Sequence, residues 1–362
     1  MLGGVLFRPI LPIFARNIGA TGFQVGLLTS GFMMARAFTS AGCGKIIDHG
    51  YETHRLIRIG MGITAIFSLL LYFNHGYTGL LLIRIGQGIC SGLIWPSAQI
   101  LVSNYSQVEV RTQAFSVYQI TGRIGMILSR GLLILLLLVG TNIGLEEMAR
   151  YRLTFLAAAV ILTGGFFETW PIRAKTKMKV PRPAGFRIDL IFVLGFIIGS
   201  LLSLQSITIL FFKEGFLLPP VEIVKILFII DLALLGTTYL LSYLADRFGI
   251  DLVMILLLIP GIIAGLFLPL INRLIPFIIL WFFIRMMIDG FIPIARSYAT
   301  ARGEIGANIG FLNMAMNLGA VLGPVMGGLI YDNLGGNLRI SSYSILAILI
   351  IPYLFLKILR RR

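Results

Sequence analysis

Gly44-Lys45-Ile46-Ile47-Asp48 and Ser242-Tyr243-Leu244-Ala245-Asp246 lie 198 residues apart, and each stands just after an apolar run long enough to cross a bilayer. The same displacement lays Gly125 on Gly323. Two matches in one register, each at the same place in its half, mark an internal duplication. Between the copies runs Pro171 to Arg187, with six basic residues: Arg173, Lys175, Lys177, Lys179, Arg182 and Arg187. The chain therefore divides into an N-terminal bundle (1–170), a basic linker (171–187) and a C-terminal bundle (188–362).

Working outward, polar breaks separate twelve apolar runs: 2–18, 22–44, 57–74, 79–101, 114–139, 153–170, 188–212, 222–244, 252–271, 274–295, 306–330 and 340–358. Of the 362 residues, 57% are hydrophobic and 12% charged, where a soluble domain carries about 25% charged residues. Twelve spans at about 20 residues each take roughly 240 residues. Too little is left for a soluble domain. The first run is short and starts almost at Met1 without a polar cap, as expected of a helix lacking its first turns or of a mis-set start. It has no cationic segment ahead of it, so no cleavable signal peptide is read. Cys43 and Cys90 both fall in apolar runs and imply no disulfide framework.

The net charge of +15 would suggest nucleic acid in a soluble protein. Its placement says otherwise. Seventeen Lys and Arg lie in or beside loops and tails on the N-terminal side of the twelve runs, against seven on the opposite side. Under the positive-inside rule both termini and the linker are cytoplasmic. The expected setting is thus a plasma membrane, crossed many times, with the lipid bilayer and not nucleic acid as partner. Parallel six-helix repeats around a central site are a transporter architecture.

Four stretches carry a family resemblance. Ser242-Tyr-Leu-Ala-Asp246-Arg247-Phe-Gly249 resembles the loop signature between the second and third helices of each half in the major facilitator superfamily, with Ser in place of its first Gly. The N-terminal copy keeps Gly44 and Asp48, has His49 where a basic residue is usual, and continues with only Arg55 and Arg58. Arg84-Ile-Gly-Gln87-Gly88 matches that family's Arg-x-x-Gln-Gly signature, and Gly319-Ala-Val-Leu-Gly323-Pro324-Val-Met-Gly327-Gly328 has the form of its antiporter element. That element is degenerate in the fifth run: Gly122 and Gly125 remain, Met126 replaces the Pro, and Ser129 and Arg130 replace the paired glycines. The resemblance implies an all-α integral membrane protein of twelve transmembrane helices in two pseudo-symmetric six-helix bundles. It also implies a gate-latching role for Asp48 and Asp246. Independently of family, glycines three to five apart let helices approach closely in lipid, and Pro324 bends its helix.

Eight ionisable residues lie deep in the runs: Arg8, Arg36, Arg84, Arg123, Arg130, Asp231, Arg285 and Asp289. Because a charge at the bilayer centre is costly, each should face the bundle interior or water. They fall in runs one, two, four, five, eight and ten, and none in three, six, nine or twelve, which the resemblance places against lipid. Arg285 and Asp289 are i,i+4 and can pair. Asp231 has no charged residue within helical reach, Lys225 being six positions away, so it is the expected proton carrier and Asp289 the expected substrate or Arg partner. Arg84 is expected in a structural or coupling network. Arg123 and Arg130 are seven apart on one face, Arg8 precedes Pro9, and Gln205 and Ser203 are polar on a cavity-lining helix. Six deep Arg against two deep Asp point to an anionic or zwitterionic solute, since buried cations need a compensating anion. The tryptophans Trp95, Trp170 and Trp281 are too scattered to form a ligand cage, and Trp170 reads as an interface anchor.

The leading expectation is a secondary active transporter, working as a monomer, that moves a small anionic or amphipathic solute by rocker-switch alternating access. It is coupled to protons, with an efflux-type antiporter favoured. A proton-coupled importer of a small organic anion, or a transport-inactive sensor on the same fold, are the alternatives. No P-loop supports ATP-driven transport. The three histidines, His49, His54 and His75, lie in or beside loops and build no catalytic or metal cluster, so neither an enzyme nor a cofactor is expected.

Overall fold

The computed structural model describes residues 2–48, 51–105, 111–170, 190–300 and 305–359, and these are helical throughout apart from short connections and 3-10 turns, with no strand among them. In chain order the helices are α1 (Leu2–Leu6), α2 (Leu11–Asn17), α3 (Gly22–Asp48), α4 (Thr53–Phe73), α5 (Tyr77–Tyr105), α6 (Arg111–Asn142) and α7 (Glu147–Glu168), followed by α8 (Leu190–Ser203), α9 (Gln205–Glu214), α10 (Pro220–Phe248), α11 (Ile250–Phe267), α12 (Leu274–Thr300), α13 (Ile305–Asn333) and α14 (Ser342–Leu359). Among the described residues eight segments are long and apolar enough to cross a membrane. With α1–α2, α3, α10 and the shorter apolar α14 they account for the twelve runs. The linker 171–187 lies outside the described residues.

Two runs are broken where the sequence interferes with the helical ladder. Pro9 has no N–H to return to the Val5 carbonyl. Arg8 N donates to that carbonyl instead at 3.2 Å, and the chain turns between α1 and α2 with Arg8 on the bend. The seventh run breaks at Leu204 without a proline. Ser203 Oγ donates to the Gly199 and Ser200 carbonyls at 3.2 and 2.9 Å, and Leu204 N tightens to the i−3 Leu201 carbonyl at 3.2 Å. Such back-bonding by Ser bends helices. At the other extreme, the start of α3 is fully capped. Thr21 Oγ1 accepts from Gln24 N at 3.2 Å while Gln24 Oε1 accepts from Thr21 N at 2.9 Å, a reciprocal capping box. The next two N–H groups, of Gly22 and Phe23, each donate to the Asp332 carboxylate at 2.7 Å. Gly249, whose φ of +91° suits only glycine without strain, turns the chain from α10 into α11.

The helices form two compact units: one of residues 1–19, 31–180 and 220–228, the other of 20–30, 181–219 and 229–362. Within the first, α1 packs on α6 and α7, and α4 on α5 and α7. Within the second, α8 packs on α13 and α14, and α11 on α12 and α14. The same pairings recur at the same places in each half, as a duplicated six-span sequence requires. The first unit is cored by Phe7, Phe14 and Phe155, with Phe155 edge-on to both of the others. In the second, Phe211, Phe212, Phe277 and Trp281 pack together and are fully buried. The third, sixth, ninth and twelfth runs expose rows of large apolar side chains, for example Ile63, Ile66 and Leu70 on α4 and Leu256, Ile263 and Phe267 on α11. Lipid is the solvent that such rows suit.

The glycines of the eleventh run are close-approach positions. A Cβ on Gly319 or Gly323 would drive into the backbone carbonyls of Phe196 or Ser200 on α8, and one on Gly199 of α8 into that of Met316 on α13. Glycine on both faces therefore lets α8 and α13 lie backbone to backbone, the packing that lipid-embedded helices need in the absence of a hydrophobic drive. Gly327 faces Leu204, and Gly328 faces the Gly22 carbonyl. Pro324 lies inside α13, and its carbonyl is where a Cβ on Gly26 would fall.

Candidate functional site

The deep charges other than Arg123 sort into two clusters, one in each unit. In the second unit the guanidinium of Arg285, on α12, is the hub. Its Nη1 donates to Gln205 Oε1 at 3.0 Å, and its Nη2 lies 3.3 Å from Asp289 Oδ2 and 3.6 Å from Asp231 Oδ1. The side chains of Arg285, Asp231 and Asp289 are 10, 14 and 17% exposed. The break at Leu204 is what starts α9 on Gln205 and brings its amide to Arg285. The i,i+4 pairing of Arg285 with Asp289 is seen. The expectation that Asp231 stands apart from any charge is corrected: Arg285 reaches it from another helix, a contact that spacing along α10 cannot reveal. Below this hub Thr208 Oγ1 and Tyr343 Oη share a hydrogen bond of 2.6 Å, and Trp281 Nε1 donates to the same phenol at 3.4 Å. Ser203, the other polar candidate of the seventh run, bonds only to its own helix backbone.

Two carboxylates share one guanidinium, so the cluster carries a formal charge of −1 with both ionised and zero with one protonated.

The first unit gathers cations. Arg8, on the α1–α2 bend, feels the repulsion of Arg36 (α3) and Arg130 (α6), and Arg84 (α5) feels that of Arg8. Phe32 lies between two of them, its ring centroid 5.7 Å from the Arg8 guanidinium carbon and 4.3 Å from that of Arg84. Arg36 lies 5.6 Å over the Trp95 ring, which meets Tyr118 edge-on at 6.0 Å. Arg84 Nη1 donates to Gln87 Oε1 at 2.9 Å, and Gln87 Nε2 reaches Ser68 Oγ on α4 at 3.5 Å. The Arg-x-x-Gln signature thus aims and steadies a guanidinium. Its glycine admits the neighbour: a Cβ on Gly88 would strike the Phe32 carbonyl, and one on Gly92 would come within 2.8 Å of the Arg36 carbonyl. Close passage of α3 along α5 is what puts Phe32 and Arg36 beside Arg84 and Trp95. Arg123 is half-buried and is not among the groups acting on Arg8, Arg36 or Arg84. Trp95 is remote from Trp170 and Trp281 in sequence, and its partner is Arg36. Arg36 at i+4 from Phe32, facing a Gly88-x-x-x-Gly92 stripe, is the signal that identifies this wall.

Of the loop signatures, Arg247 is exposed, donates to Tyr243 Oη at 3.4 Å and lies 5.5 Å over Phe248. The side chains of Asp48, Ser242 and Asp246, the surroundings of Gly44, and residues 49 and 50 lie outside the described residues. No group of three or more His, Cys, Asp or Glu that could hold a metal occurs among the described residues.

The sequence profile of the Major Facilitator Superfamily matches residues 1–292. Multidrug resistance protein 2 of Bacillus subtilis (strain 168) is 20% identical over 355 residues, covering 91% of this chain and 86% of that protein. Among solved structures, a bacterial homolog of the human lysosomal transporter Spinster, inward-facing and unoccupied, superposes with a TM-score of 0.75 at 15% identity, over 98% of this chain and 93% of the other. The nucleoside transporter NupG does so with a TM-score of 0.68 at 15% identity, over 98% and 95%. The fold of this chain is the one those transporters share. A profile matched over most of the chain, on a fold of apolar helices shared with solved transporters, shows that the protein is a multi-pass membrane transporter and not an enzyme, and that it belongs to the Major Facilitator Superfamily.

Proposed function

We propose that the protein is a proton-coupled secondary transporter of a small solute, of the efflux-type antiporter kind. It works as a monomer in the plasma membrane with both termini cytoplasmic, and the sequence halves 1–170 and 188–362 rock about a midplane site. The observation that carries the coupling is the sharing of Arg285 by Asp231 and Asp289. One proton neutralises the cluster and its departure leaves a net negative charge. Asp231 and Asp289 are thus a coupled pair, and the proton belongs to both. The antiporter direction is supported by the Gly-Pro element of the eleventh run and by the name of the Bacillus subtilis relative. The importer alternative draws on the arginine cluster, which suits an anion entering with a proton.

The test uses purified protein in liposomes enclosing a pH-sensitive dye, with an inside-acid gradient and two probes, the cation ethidium and the anion fluorescein. Wild type should exchange protons for one of them. Asp231→Asn and Asp289→Asn should each abolish gradient-driven uptake while leaving downhill exchange of the probe intact. Unchanged gradient dependence in both variants would remove the coupling assignment. Probe and protons moving in the same direction would favour the importer.

A further inference from the structure

The arginines of the first unit pose a question that proton coupling does not answer. Arg8, Arg36, Arg84 and Arg130 come from four different segments, and each of the other three lies near enough to Arg8 to repel it or be repelled by it, with the Phe32 ring against both Arg8 and Arg84. Arg84 and Arg130 are only 5 and 7% exposed. Yet among the described residues no carboxylate forms an ion pair with Arg8, Arg36 or Arg84, whose partners are the Phe32 and Trp95 rings and the Gln87 amide. The Nε of Arg84 is buried and makes no hydrogen bond among the described residues. A buried guanidinium such as that of Arg84, beside the like charge of Arg8 and with no ion pair among the described residues, is costly. Arg36 is half-buried, and Arg8 is exposed on the proline-induced bend between α1 and α2, where it can meet an arriving ligand.

We infer that these four arginines are the binding site for the anionic group of an organic solute, a phosphate monoester or carboxylate, and that Phe32 and Trp95 receive its flat apolar portion. Guanidinium groups present paired donors that match the oxygens of carboxylate and phosphate, and such charge-assisted bonds are the strong ones. The aromatic walls do two things. Their faces hold Arg36 and Arg84 in place by cation–π contact before ligand arrives. Their remaining surface offers contact to a ring. This deepens the transporter reading, on which it rests, by naming the chemical class of the cargo.

The experiment is equilibrium thermal unfolding of the purified, full-length protein in detergent, without any pH gradient, against phenyl phosphate, benzoate, inorganic phosphate and benzylamine. A ligand that binds the folded state raises its melting temperature in a saturable way. Phenyl phosphate and benzoate are expected to do so, inorganic phosphate at least ten-fold more weakly than phenyl phosphate, and benzylamine not at all. Arg8→Gln, at an exposed position where folding is not at risk, and Arg130→Gln should each weaken phenyl phosphate at least ten-fold. Arg8→Lys should recover part of that loss, and Lys225→Gln should change nothing. Stabilisation by benzylamine equal to that by benzoate, absence of any anion effect in wild type, or unchanged affinity in Arg8→Gln would overturn the site. Inorganic phosphate binding as tightly as phenyl phosphate would overturn its aromatic half. Gradient-driven uptake by Asp231→Asn and Asp289→Asn is the separate readout of the coupling pair. An anion site that stands while those variants keep normal gradient-driven uptake therefore refutes the coupling reading alone, and the reverse pattern refutes the anion site alone.

Discussion

Replacing Gly319 by Ala adds one methyl group where there is no room for it. The Cβ would sit 1.9 Å from the Phe196 carbonyl oxygen, and real Cβ contacts essentially never fall below 3.0 Å. That oxygen is backbone, so no rotamer change relieves the overlap, and α13 must move off α8 by about 1 Å. That separation loosens the neighbouring contacts of Gly199 with Met316 and of Gly323 with Ser200. Overpacking a tight interface costs about 1–3 kcal/mol. The better helix propensity of Ala returns up to about 1 kcal/mol. A net loss of about 1 kcal/mol is expected. Gly236, inside α10, meets no atom within 4 Å of its virtual Cβ, so Gly236→Ala gains propensity alone and should stabilise by about 0.5–1 kcal/mol. The two variants thus move the midpoint of an SDS titration of detergent-solubilised protein, followed by tryptophan fluorescence, in opposite directions. If Gly319→Ala unfolds at or above the wild-type midpoint, the backbone-to-backbone packing of α8 on α13 is wrong. If it is stable yet fails to transport, the glycine serves movement rather than packing.

Two other perturbations probe polar contacts within the second unit. Asp332→Ala removes the acceptor of the Gly22 and Phe23 amides at the start of α3 and should cost about 1–2 kcal/mol, seen as faster hydrogen exchange confined to the first turn of that helix. Unchanged protection there would mean that the Thr21–Gln24 capping box suffices. Thr208→Val leaves the buried Tyr343 hydroxyl with only the longer Trp281 contact and should cost about 1–2 kcal/mol. The double variant with Tyr343→Phe should lose less than the sum of the two singles, and strict additivity would deny the coupling.

How much was legible in the sequence follows from which contacts lie within one helix. Arg285 and Asp289 are i,i+4, and Arg84 and Gln87 are i,i+3, so helical geometry alone makes them neighbours. Asp231 has no charge within reach along its own helix for the same reason, since its partner is 54 positions away on α12. The bend at Pro9 was signalled by a residue that cannot donate to the ladder. The break at Leu204 was not, because it arises from serine hydroxyls choosing backbone carbonyls.

By itself, then, the sequence marked the repeat, the twelve apolar runs and the charges that fall within them, because these depend on composition and periodicity that lipid enforces everywhere along the chain. It also marked, through Gly88, Gly92, Gly319 and Gly323, where helices come close. Only the tertiary structure decided which charges meet. Whether Arg285 finds Asp231 and Gln205, or Arg8 finds Arg36 and Arg130, depends on the rotation of each helix about its axis and on its crossing with neighbours. Those are set jointly by the glycine contacts, the two breaks and the aromatic cores, and no single segment contains them.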